Sequence, residues 1–157
     1  MRIVKKLGRS FLIGFIVIQF FGPSKNEDEG EHMIVFFEET NPPPGVKLLL
    51  KNSCFDCHSN NTVYPWYGQI SPFSNWMADH IREGKEEVNF SEWGNYSVKK
   101  KDHKLEEIIE VLENEVMPLK EYTWTHFDAR LTENQKEQII QWAKRTRALY
   151  QLNLRPE

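Results

Sequence analysis

The chain has 157 residues, 39% of them hydrophobic and 27% charged, which suits one packed domain with a terminal appendage and argues against wholesale disorder. Net charge is −3; residues 1–22 hold Arg2, Lys5, Lys6 and Arg9 and no acid, so the remainder has 16 basic against 23 acidic residues, a net of −7. That balance speaks against a nucleic-acid binder, which needs a basic face, and suits a basic protein partner.

In chain order, the first element is a targeting segment. Four basic residues within the first nine precede the apolar run from Phe11 to Phe21, part of a stretch taken as residues 7–22, the order shared by signal peptides and signal anchors. No small-x-small cleavage site follows Phe20-Phe21-Gly22-Pro23, which favours an uncleaved anchor over a removed signal. As a helix the stretch would span roughly 24 Å, a little short of the ~30 Å hydrocarbon core. The basic flank predicts a cytoplasmic N-terminus, with the rest of the chain on the periplasmic side of the cytoplasmic membrane.

Residues 23–44 combine an acidic stretch, a short mixed run and Asn41-Pro42-Pro43-Pro44, and are expected to form a linker. The domain proper is expected over residues 45–150, with a tail at 151–157. A short helix at 46–50 leads into Ser53. Ser71-Pro72 starts a second helix, with Pro72 at its first position and Gly84 as its stop. Asn89 to Trp93 forms a loop. Leu105, Ile108, Ile109 and Leu112 recur at helical spacing between Ser97 and Glu115. Thr132 and Gln135 open a last helix by a capping box. No stretch alternates for long enough to be a strand, so the fold class is all-α.

The chemistry is concentrated at Cys54-Phe55-Asp56-Cys57-His58. These are the only two cysteines, three positions apart, so they are a site and not a structural staple. Cys-x-x-Cys-His permits two thioether bonds to haem vinyl groups and sets the following His under the iron. A thioredoxin-type redox pair would need a βαβ context, and a zinc site would need further ligands at paired spacing. The predicted cofactor is therefore haem c, tethered by Cys54 and Cys57 and ligated by His58. Met117, next to Pro118 in a loop 59 residues later, is the leading sixth ligand, with His126, His80 or an open position as alternatives. Met77 on its helix is expected to pack, and Met33 falls in the linker. Among 20 aromatic residues, Tyr64, Trp66, Tyr67, Trp76, Trp93 and Trp124 are candidates to enclose the ring. Pro72 belongs to the same expected pocket, and Arg130 and Arg82 are candidates to pair a propionate. A carbonyl in the 64–72 loop is expected to accept from His58 Nδ1–H.

One Cys-x-x-Cys-His followed by Met-Pro resembles a monohaem class I c-type cytochrome. More closely, residues 46–149 resemble a family of small bacterial haem-binding domain proteins. The residues that carry this are Asn52 to Asn60, Tyr64-Pro65-Trp66-Tyr67, Ile70-Ser71-Pro72, Phe90 to Trp93, Met117-Pro118, and His126 with Asp128 to Leu131. Leu119 and Phe127 stand where that pattern has proline. The resemblance implies a small cytochrome c-like domain around one covalent haem, an N-terminal anchor, and electron transfer with a redox partner protein. The alternatives are a peroxidase-like enzyme or a redox or gas sensor, both requiring an open or displaceable sixth position.

Overall fold

The computed structural model describes residues 2–28 and 33–152, and over them it is helical, as the pattern predicts. The α-helices are α1 (Arg2–Ile18), α2 (Ile34–Thr40), α3 (Pro44–Ser53), α4 (Phe55–His58), α5 (Phe73–Glu87), α6 (Val98–Glu113), α7 (Tyr122–Thr125) and α8 (Glu133–Gln151). Short 3-10 turns fill 66–69, 90–95 and 127–129. The one β-type pairing among the described residues is an isolated antiparallel bridge between Glu27 and Asn61. The expected tail lies mostly outside the described residues, which stop at Leu152.

Helix α6 packs along α8, and their ends follow the local rules. Ser97 caps α6 by accepting from the Lys100 amide. The Thr132–Gln135 capping box opens α8 as the sequence predicts. Leu105, Ile109 and Leu112 from α6 meet Ile139, Ile140, Trp142 and Ala143 from α8 in the core. Across the seam Arg147 reaches Asp102 and Glu106, each at 2.9 Å.

The expected linker is in large part built into the domain. Phe36 on α2 is fully buried among Phe55, Phe90, Trp93 and Trp142. Glu39 accepts from Lys101 Nζ at 2.7 Å and from the Tyr150 hydroxyl at 2.9 Å, and the Thr40 carbonyl accepts from Trp142 Nε1 at 3.1 Å. Earlier in the chain, Asn26 donates to the Ser59 carbonyl and the Thr62 hydroxyl and accepts from Lys85, all within 2.9 Å. A spacer would leave these groups to water.

Two helix boundaries differ from expectation. Pro72 is the N-cap residue of α5 and not its first helical residue, and the helix runs past Gly84 to Glu87. Asn89 to Trp93 is mostly a 3-10 turn, with the Asn89 side chain accepting from the Ser91 amide. At the N-terminus α1 has 17 residues, and no helix among the described residues is long and apolar enough to cross a membrane.

Candidate functional site

The cysteine motif is one helical turn hung from the end of α3. Cys54 breaks α3 with φ −126°, and its carbonyl then accepts from both the Cys57 amide and the His58 amide. The three-residue spacing thereby brings both sulfurs and the imidazole to the same side of the chain. They line one cavity of about 560 Å³, within the range of about 300–1,000 Å³ typical of cofactor pockets. Its wall is predominantly apolar, with Leu50, Val88, Phe90, Ile108, Val111 and Leu112 contributing, and Met117 also lines it.

His58 is held in one tautomer. Its Nδ1–H donates to the Val88 carbonyl at 3.1 Å, which leaves Nε2 with a free lone pair for a metal. The acceptor is at the C-terminal end of α5, not in the 64–72 loop where the sequence placed it. Burial lowers the His58 pKa, against the opposing effect of the Val88 and Gly84 carbonyls, which favours the neutral ring that ligation requires. Burial pushes the Cys54 thiol up to about 12, with Cys57 a smaller cause. Burial and then Asp56 push Cys57 up to about 11. Both thiols are protonated near neutral pH, the opposite of the lowered attacking thiol that a thioredoxin-type pair needs. Among the described residues there is no cluster of three or more His, Cys, Asp or Glu suited to a metal-ion cage.

Gly84 matters for a reason the sequence reading missed. A Cβ there would stand 2.8 Å from the Cys57 carbonyl oxygen and 3.1 Å from Cys57 Cβ. Only glycine lets α5 press this closely against the motif turn. In an open helix Gly→Ala would stabilise by about 1 kcal/mol. At Gly84 the clash is with backbone and should outweigh that gain. We expect Gly84→Ala to destabilise the protein by about 1–3 kcal/mol in urea unfolding; a stabilised variant would contradict the contact.

The remaining expected site residues go elsewhere. Tyr64 accepts from the Asn26 amide at 2.8 Å. Trp66 is 76% exposed, and the Tyr67 hydroxyl pairs with Thr125 at 2.7 Å. Pro72 is exposed at the start of α5. Arg130 donates to the Thr123 carbonyl and lies over the Phe127 ring. Arg82 pairs with Asp79 at the surface. Trp93 is a core residue whose Nε1–H donates to the Tyr150 hydroxyl. None of these lines the large cavity. The cation in its wall is Lys104, paired with Glu107 at 2.6 Å. Tyr122 also lines it and donates to Asp56 Oδ2 at 2.7 Å. His80 reaches the same wall, whereas His126 stacks on Tyr122 and borders a smaller neighbouring cavity with Met77. Lys104, Tyr122, Gly84 and Val88 carry no recognisable motif; only the tertiary structure, which brings α5 onto the motif turn and places Lys104 of α6 and Tyr122 of α7 in the same cavity wall, reveals them.

An all-helical domain with a partly open, mostly apolar cavity, walled by Cys-x-x-Cys-His and a loop methionine, has the lining of a haem site. The family model for the haem-binding domain matches residues 13–145, and the chain belongs to that family. The match begins inside the expected anchor and takes in the whole expected linker. No curated protein and no solved structure matches the chain.

Proposed function

We propose that the protein is a monohaem c-type cytochrome-like electron carrier, attached to the cytoplasmic membrane with its haem domain in the periplasm. Cys54 and Cys57 would hold haem c by thioethers, and His58 and Met117 would ligate its iron. One observation carries the reading: two thiols, an imidazole and a thioether converge on the wall of a single apolar cavity. The bound haem supplies one-electron chemistry at iron.

The chain's own groups account for the rest. The Val88 carbonyl orients His58 and raises its basicity as a ligand. Leu50, Phe90 and Leu112 give the cavity an apolar lining, and Lys104, paired with Glu107 in the wall, would set a positive charge near a propionate. Ligation by both His58 and Met117 would favour electron transfer over peroxide chemistry. Attachment through residues 1–22 is supported by Arg2, Lys5, Lys6 and Arg9 and by the exposed apolar side chains of α1, Phe11 and Ile16 among them. The acidic remainder of the chain favours a basic redox partner.

Absorption spectra of the purified holo-protein test this reading. Expected are low-spin ferric and ferrous haem, the far-red ferric band of Met–iron ligation, and slow binding of carbon monoxide. High-spin haem that binds carbon monoxide rapidly would transfer the protein to the peroxidase-like or sensor class.

A further inference from the structure

Residues 63–78 contain no Asp, Glu, Lys, Arg or His, in a chain that is 27% charged. This stretch carries Trp66, Phe73 and Trp76, none of which enters the core. A second run at 122–127, with His126 its one titratable group besides Tyr122, adds Trp124 and Phe127. All five aromatics are between 46% and 76% exposed. The two runs form one surface. Tyr67 and Thr125 are hydrogen-bonded across it, and Tyr67, Trp76, Thr125 and His126 surround the same small cavity of about 50 Å³. Exposed aromatic groups gathered this way mark a contact surface.

The N-terminal segment is fastened beside this face. Gln19, just after α1, donates its amide N–H to the Ser71 carbonyl at 3.2 Å and accepts from the Ser71 amide at 3.0 Å. Ser71 stands between the Trp66 turn and the first turn of α5, where Phe73 lies. The neighbouring Phe20 and Phe21 are themselves exposed.

We propose that this aromatic face rests in the headgroup region of the same bilayer that takes up residues 1–22, so that the domain lies on the membrane in a fixed orientation. The inference rests on the membrane attachment put forward above. Tryptophan rings combine an apolar body with one N–H donor, the chemistry favoured at a membrane–water boundary. A basic protein partner would seek the acidic remainder of the chain, whereas this face is mainly aromatic, with Arg130 over the Phe127 ring and Glu121 at the small cavity among its few charges. Asp56, Cys57, His80, Leu119 and Tyr122 border both the small cavity and the haem cavity. Docking would therefore hold the haem at a constant short distance from the lipid surface.

The test is photo-crosslinking of the full-length holo-protein in vesicles of phosphatidylethanolamine and phosphatidylglycerol containing a diazirine-bearing phosphatidylcholine, with adducts mapped by mass spectrometry. Adducts are expected in α1 and in both aromatic runs, several-fold above those on the exposed surface of α8. A Trp66→Glu/Trp124→Glu variant should bring both runs down to the α8 level, with α1 labelling and the haem spectrum unchanged. Adducts confined to α1 in the wild type, or undiminished aromatic-run labelling in the variant, would overturn the docking face and leave the attachment standing. Protein that neither floats with the vesicles nor labels in α1 would overturn both.

Discussion

A Cys54→Ser/Cys57→Ser variant is expected to lose all covalent haem and most of its folded yield. The motif turn is walled into the cavity beside Leu50, Phe90, Leu112 and Ile139, side chains that also belong to the main core. The space of about 560 Å³ opens to solvent, so without haem its apolar wall would be wetted, a loss of roughly 5 kcal/mol against the about 5–15 kcal/mol that hold an ordinary domain. Relaxation would recover some of this by collapsing α6 and the 116–119 loop onto α4. The surviving species should unfold at lower denaturant concentration and over a less cooperative transition. Haem staining after denaturing electrophoresis, together with the unfolding midpoint, measures both effects. A double variant as stable and as abundant as the wild type would contradict the role assigned to the cavity.

The second large effect is expected at Met117. The chain leaves α6 through Glu115 in the left-handed region, φ 56°, and the Val116 and Met117 amides both donate to the Val111 carbonyl. Those bonds fold the chain back so that Val116, Met117, Pro118 and Leu119 line the cavity together. Thioether ligation raises a haem's reduction potential, and a closed sixth position keeps out small ligands. Met117→Ala should therefore abolish the far-red ferric band, lower the potential and accelerate carbon monoxide binding. Met77→Leu is the control. Met77 packs against Gly68 and borders the smaller cavity, so its replacement should cost about 1 kcal/mol and leave the spectrum alone. An unchanged spectrum in Met117→Ala would move the ligand to His80, the other histidine in the cavity wall besides His58.

Much of this was legible in the residues. The spacing of Leu105, Ile109 and Leu112 set the buried face of α6, and Thr132 with Gln135 marked where α8 starts, because periodicity and capping are local properties. Cys54, Cys57, His58 and Met117 stand out in the sequence because their chemistry is specific, and all four line the large cavity. Three features were not legible in this way. Helix α2 is seven residues long and lies between an acidic stretch and three prolines, so nothing local distinguishes it from a spacer; Phe36 declares itself only through the rings it meets. Gly84 looked like a helix stop because its Cβ-free face, turned toward Cys57, depends on a tertiary approach. The tryptophans misled most. An aromatic's size suits a haem pocket, a core or a membrane surface equally, and Trp93 went to the core while Trp66 and Trp124 went to the exterior.

The central claim, covalent attachment of one haem at Cys54 and Cys57, is tested most directly by mass spectrometry of the denatured, exported protein and of its proteolytic peptides. The account predicts one haem retained per chain after unfolding, on the peptide holding Cys54, Cys57 and His58, with neither cysteine free to alkylate. A holo-protein that releases its haem on unfolding and exposes two alkylatable thiols would contradict it.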